Sequence, residues 1–319
     1  MNYLEINRDK IFQKYSKEEL LKDINNFING KGRMYKVLNH FFEEEIWKCA
    51  GKKTKISPYE ALQDSKFVQE ILNYINNKPN FFTSQDEIAN VKSYMRNSSS
   101  RVRKVANFPV QEARRIYNKY NNTNKKLNCL DTSAGFGSRM SATVLDGHNY
   151  YGIDPNPSLF KKLLEYRQFL YQNELINGNI VNLYKQGSED FIPDLIGKID
   201  VSFTSPPYFN LETYGNDNAQ STSNYNNYAN WVRYFVIPTV NNTIEYLKSG
   251  GIAMINVKNI NKKETCYDDF LNAFYNNDCV EFVEIFDMKV QSQKQYGMKY
   301  DNKKGVIMPK EPVMVFKRK

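Results

Sequence analysis

Between residues 127 and 257 the chain repeats one pattern: a short apolar run, a turn, and a longer segment with apolar residues at helical spacing. The apolar runs cover 127–131, 150–154, 180–185, 200–204 and 252–257, and helical segments lie around 139–145, 157–177 and 228–247. Such repeated alternation predicts a parallel sheet with helices on both faces. Two later strand-like runs, 280–290 and 312–317, have no predicted helix between them and suggest an antiparallel pair at the sheet edge. The expected fold class is α/β, a mostly parallel sheet with an antiparallel edge, preceded by a helical domain.

That helical part occupies the first hundred residues. Leu20, Leu21, Ile24, Phe27 and Ile28 recur at helical spacing behind Ser16-Lys-Glu-Glu19, which has the form of a capping box. Similar patterns run over 35–49, over 58–75 after Ser57-Pro58, and over 85–95. Gly51-Lys-Lys-Thr-Lys55 reads as an exposed basic turn, and the polar, basic run 97–104 as a linker. The expected division is 1–104, a basic helical domain and candidate for nucleic-acid recognition, and 105–319, an α/β domain opened by a helix over 110–120. The Asn-, Ser- and Tyr-rich stretch 215–227 reads as a long mobile loop.

Charge and composition narrow the function classes. Residues 1–126 hold 24 Lys and Arg against 14 Asp and Glu, whereas 127–319 hold 20 against 21. A bias of the whole genome would spread over both parts, so this asymmetry points to an anionic partner for the first. Fourteen per cent aromatic residues exclude a disordered chain. Four scattered cysteines and two histidines do not supply the usual zinc sites. No apolar run approaches the roughly 20 residues of a membrane span, and residues 1–10 lack a signal-peptide pattern. The expectation is a soluble, cytoplasmic protein without a membrane partner.

Two motifs carry chemistry. In Leu130-Asp-Thr-Ser-Ala-Gly-Phe-Gly-Ser138, Gly135 and Gly137 allow a sharp turn and close approach to a ligand at the carboxyl end of a parallel strand. A purely structural turn would use the same residues, but Asp154 ends the next strand 23 positions after Asp131. There a carboxylate accepts hydrogen bonds from both ribose hydroxyls of a nucleoside cofactor. Met140 stands where a dinucleotide-binding pattern would need its third glycine. The second motif, Thr204-Ser-Pro-Pro-Tyr208, ends a strand, because consecutive prolines donate no ladder hydrogen bonds. Stiff Pro206 and Pro207 make the Ser205 hydroxyl and the Ser205 or Pro206 carbonyl fixed acceptors beside the Tyr208 ring. This combination suits a planar base bearing an exocyclic amino group.

On these residues the chain resembles the S-adenosylmethionine-dependent amino-group DNA methyltransferases, which act on cytosine N4 or adenine N6. Asp131-Thr-Ser-Ala-Gly-Phe-Gly137 resembles their cofactor loop and Ser205-Pro-Pro-Tyr208 their catalytic motif. Asn107-Phe-Pro109 resembles a segment that helps hold the methionine end of the cofactor, and Lys310-Glu-Pro-Val-Met-Val-Phe316 the last strand of the fold. The resemblance covers about residues 105–319, and Thr132 departs from the proline that some members carry. It implies a Rossmann-like methyltransferase fold with a seven-stranded sheet, S-adenosyl-L-methionine as cofactor and no metal. The implied cofactor-binding residues are Asn107, Phe108, Pro109, Asp131, Ala134, Gly135, Phe136, Gly137, Asp154, Ser188 and Glu189. Asp131 either meets the amino-acid ammonium or only organises its loop, and Ser188 or Glu189 contacts the adenine ring. Ser205, Pro206, Pro207 and Tyr208 are the implied catalytic residues.

The base nitrogen attacks the methyl group directly, so no enzyme nucleophile is needed, and the Pro-Cys motif of carbon-5 methylation is missing from Pro206-Pro207-Tyr208. A duplex hides that nitrogen, so the target is flipped out or single-stranded. The serine form of the motif favours cytosine N4 over adenine N6 in the resembled family. DNA is the expected partner, with RNA methylation and a non-catalytic nucleic-acid-binding subunit as alternatives.

Overall fold

A computed structural model describes residues 2–51, 56–97, 102, 104–121, 125–176, 178–214, 220–225, 227–261, 263–288, 299–301, 306–308 and 311–319. The chain forms two compact units: Met1–Asn107 with Asn210–Asp217, and Phe108–Phe209 with Asn218–Lys319.

The first unit contains α1 (Tyr3–Ile11), α2 (Lys17–Ile28), α3 (Tyr35–Trp47), β1 (Cys49–Gly51), α4 (Pro58–Gln63), α5 (Ser65–Asn76) and α6 (Glu87–Asn97). The capping box at Ser16 and Glu19 forms as expected, and Ser57 with Glu60 forms another. The helix expected over 58–75 is broken at Asp64, whose extended backbone leaves the helix while its carboxylate accepts the Lys66 and Phe67 N–H groups and caps α5. Sequence reading overlooked α1, which buries Leu4 and Ile11 in a core with Trp47, Leu62, Ile71 and Met95. The expected linker also needs correction. Val102 is fully buried in this core, and the Lys104 N–H donates to the Met95 carbonyl at 2.9 Å. Residues 98–101 and 103, and 52–55 of the expected basic turn, lie outside the described residues.

The second unit continues with α7 (Val110–Lys119), β2 (Asn128–Asp131), α8 (Ser138–Val144), β3 (Asn149–Ile153), α9 (Pro157–Gln172), β4 (Val181–Tyr184) and β5 (Ile199–Thr204). The chain then enters the first unit, where β6 (Glu212–Tyr214) pairs antiparallel with β1, Cys49 opposite Tyr214. Sequence reading assigns these residues to the α/β domain and expects no strand here. Residues 215–219 and 226 of the expected loop lie outside the described residues, while 221–224 form a helical turn, α10 (Ser221–Asn224). A continuous helical stretch follows, α11 (Tyr228–Trp231) and α12 (Ile237–Tyr246), joined by a π turn at Val232–Val236. This widening precedes Pro238, which has no N–H to return to the preceding turn. Then come β7 (Leu247–Asn256), α13 (Cys266–Tyr275), β8 (Val280–Asp287), the small antiparallel pair β9 (Lys299–Asp301) and β10 (Val306–Met308), and β11 (Pro312–Arg318).

One seven-stranded sheet has the order β4-β3-β2-β5-β7-β11-β8. Only β11 runs antiparallel to its neighbours. The expected antiparallel pair is present, with β8 at the edge and the more buried β11 inserted beside β7. Alternate residues face opposite ways: Leu130, Ile153 and Ile255 join a core with Val240 of α12 and Phe270 of α13, while Phe203 meets Tyr117 of α7. This is the α/β architecture expected from the alternation and the Rossmann-like fold implied by the resemblance.

The charge asymmetry does not follow this division. The first unit carries 19 Lys and Arg against 15 Asp and Glu, and the second 25 against 20. Much of the apparent excess came from 108–126, which belong to the second unit, where Arg114 pairs with Asp146, Arg115 with Glu112 and Lys119 with Glu284. Among the described residues no helix is long and apolar enough to cross a membrane.

Candidate active site

The sheet order reverses direction between β2 and β5, where successive connections leave to opposite sides and open a crevice at the carboxyl ends. The glycine loop leaves β2 there and the Ser205 motif leaves β5. Gly135 and Gly137 adopt φ of +57° and +74°, a left-handed backbone that costs a side-chain-bearing residue roughly 1–2 kcal/mol. The turn folds the loop over β3: the Ala134 N–H donates to the Ile153 carbonyl and the Gly135 N–H to Asp154 Oδ2, both at 2.9 Å. Phe136 is buried within it.

Asp131 is fully buried, and its oxygens are committed internally. Oδ1 accepts the Ser133 N–H at 3.2 Å, and Oδ2 accepts from Arg139 Nε at 2.8 Å and the Tyr150 hydroxyl at 3.0 Å. Of its two expected roles, these contacts support organising the loop. Arg139 also donates to the Ser133 carbonyl and lies 5.2 Å from the centre of the Phe108 ring. Burial pulls its guanidinium pKa down, but the Asp131 charge and hydrogen bond outweigh this and hold it above the ordinary value. Phe108 meets Phe203 of β5 edge-on at 5.6 Å and Pro109 caps α7, whereas Asn107 belongs to the first unit.

Among the described residues Asp154 makes no such ion pair, though the Arg139 charge still favours its ionised form. Each oxygen takes one backbone N–H, from Gly135 at 2.9 Å and Asn156 at 3.1 Å, and burial pushes the carboxyl up to about 6. The remaining lone pairs suit hydroxyl donors. After β4, the Ser188 hydroxyl is buried against Thr239 at 2.8 Å and turned into α12. Asn242 Nδ2 clamps the same loop through the carbonyls of Ser188 and Glu189, at 3.0 and 2.9 Å. Glu189 folds back over Gly187, where a Cβ would collide with its carboxylate. Its Oε1 accepts from the Tyr225 hydroxyl at 3.2 Å, while buried Oε2 has no partner among the described residues. Burial raises its pKa. Of the pair Ser188 and Glu189, Glu189 therefore keeps an acceptor to offer.

Ser205, Pro206, Pro207 and Tyr208 follow β5 directly. Ser205 Oγ lies 3.4 Å from Asn256 Oδ1 and the Tyr208 hydroxyl 3.3 Å from the Asn256 carbonyl oxygen, so the end of β7 supports both ends of the motif. The next residue, Phe209, has a left-handed backbone at φ +43° and is locked by Tyr228 and Trp231, with ring centres 5.4 and 5.7 Å away. Strain of this kind at a strand end persists only where surrounding packing holds it.

Sequence reading missed Arg139, Asn242 and Asn256. A lone arginine in the small-residue run Ser138–Val144 and a lone amide, Asn256, within the apolar run 252–257 were the available signals. The buried hydroxyls of Thr132, Ser138 and Thr204 also lack hydrogen-bond partners among the described residues. Asp154 and Glu189 Oε2, in the loops that follow β3 and β4, are acceptors that suit the hydroxyl and amino donors of a nucleoside.

Neither a protein-family model nor a curated protein matches the chain. Among solved structures, a SAM-dependent O-methyltransferase from Thermotoga maritima is 11% identical, with 67% of each chain covered and a TM-score of 0.40. A tRNA (m1A58) methyltransferase from Aquifex aeolicus is 12% identical over 68% of this chain and 71% of its own, with a TM-score of 0.38. At such low likeness, the chemistry has to be read from the chain's own residues.

Proposed function

We propose that this protein transfers a methyl group from S-adenosyl-L-methionine to the exocyclic amino group of a DNA base, with cytosine N4 favoured over adenine N6. The observation that carries this reading is the placement of Ser205-Pro-Pro-Tyr208 and the Gly135–Gly137 loop at the two strands flanking the switch point, with Asp154 on the next strand. Asp154 accepts the ribose hydroxyls, Glu189 Oε2 accepts the amino group of the adenine ring, and the two glycines let the backbone approach the methionine portion. The cofactor supplies an electrophilic methyl group on a sulfonium. Ser205 accepts a hydrogen of the target amine and aligns its nitrogen, while Tyr208 stacks on the base. Preference for DNA and for cytosine rests on the resemblance of the motif.

The test is incubation with methyl-labelled cofactor and either DNA or RNA, followed by nucleoside analysis. The expected product is N4-methylcytosine in DNA. N6-methyladenine would reassign the base and label in RNA the substrate. Cofactor binding without transfer to either would leave a non-catalytic nucleic-acid-binding subunit.

A further inference from the structure

Asn256, the last residue of β7, is a buried amide with a fixed orientation. Its Nδ2 donates to the Pro312 carbonyl of β11 at 3.0 Å. A carbonyl offers no proton, so only the nitrogen of the amide can face it, and Oδ1 is left facing Ser205 Oγ at 3.4 Å. Between those two oxygens the single proton available is that of the serine hydroxyl. Ser205 consequently donates to Asn256 and keeps only lone pairs for whatever lies beyond the strand end. The backbone carbonyl of Asn256 receives the Tyr208 hydroxyl.

We propose that Asn256 is a positioning residue that turns Ser205 into a pure acceptor. The site then selects a reacting group that brings its own hydrogens, and it discriminates against ring nitrogens and carbonyl oxygens, which only accept. This rests on the methyl-transfer reading and deepens it: Ser205, a hydroxyl that could point its proton either way, is held in the sense that a target amine requires.

The test compares binding of random-sequence single-stranded DNA with binding of the same DNA in which cytosine and adenine are replaced by 2-pyrimidinone and purine, which lack the amino group. Binding is measured by fluorescence anisotropy, alongside methyl transfer. The parent should prefer the amino-bearing strands by roughly tenfold, the worth of one well-made hydrogen bond. Asn256→Leu should lose that preference and about tenfold in kcat while calorimetry finds cofactor affinity unchanged. Asn256→Asp, whose buried carboxyl keeps its proton on the oxygen facing the Pro312 carbonyl and presents the other oxygen to Ser205, should keep the preference. A folded Asp variant that loses it overturns the proposal, and this arm decides should the Leu variant fail to fold. A parent that shows the preference, lost in the Leu variant, but transfers no methyl group would sink methyl transfer and leave the positioning intact. A parent that transfers methyl while the Leu variant keeps both preference and kcat would do the reverse. A parent without the preference overturns the proposal.

Discussion

Asp131 and Asp154 end neighbouring strands, both are buried, and they differ in what balances their charge. Asp131 is ion-paired with the Arg139 guanidinium, whereas among the described residues Asp154 is hydrogen-bonded only by two backbone N–H groups. Its carboxyl is accordingly raised by burial from an ordinary 3.8 to about 6. The native state thus holds a proton in a range where the unfolded chain has released it. This group's contribution makes the fold less stable as pH rises from about 4 to 6, with the full penalty present above 6. Asp154→Ala should flatten that part of the curve of melting temperature against pH. Hydroxyl donors favour the ionised form, so cofactor affinity should weaken as pH falls below about 6. Calorimetry of Asp154→Ala should show a loss of about 1.5–3 kcal/mol and no such pH dependence. Arg139→Met leaves Asp131 buried and unpaired, and denaturant unfolding should report a loss of about 3–5 kcal/mol. A cost below 1 kcal/mol would show that the pair does not hold the loop.

At the scale of elements, the proposed reading gives the two loops around the switch point different ligands, so they should separate in mutagenesis. Tyr208→Ala removes the stacking face and one tie to β7; methylation should fall at least about tenfold while cofactor affinity stays near the parent value. Equal activity would remove the stacking role. The sheet strands were legible because each is an apolar run bounded by turn residues, and both glycines and Asp154 sit where that pattern predicts. Other elements left no local mark. The three-residue strands β1 and β6 pair across more than 160 positions, so nothing near Cys49 or Glu212 announces them. The break at Asp64 was hidden because Val68, Ile71 and Ile75 of α5 continue the helical spacing of Ala61 and Leu62. Asn256 and Arg139 stand out in sequence only as lone polar residues, because the role of the first depends on the carbonyl of Pro312, 56 positions away, and the partners of the second are a strand end and a ring from before α7.

For the whole molecule, the net charges of the two units are close to equal, so nucleic-acid affinity cannot be assigned to the first on charge alone. Lys104 illustrates the difference. It is ion-paired with Glu43 at 3.3 Å and lies 6.0 Å from the centre of the Trp47 ring, and burial lowers its pKa. Lys104→Glu should therefore lower the melting temperature and leave the salt dependence of DNA binding in the surviving folded protein unchanged. A phosphate contact would instead flatten that slope by about 0.9, which would return Lys104 to the binding surface. The path of the chain has a further consequence. It crosses between the units three times, and one crossing comes immediately after Phe209. A single cut near residue 107 would strip β6 of its partner β1 while leaving it covalently attached to the Ser205–Tyr208 motif. Neither unit is thus a cassette that one recombination event can exchange. Exchanging the helical unit whole would require replacing two separate stretches of the gene together.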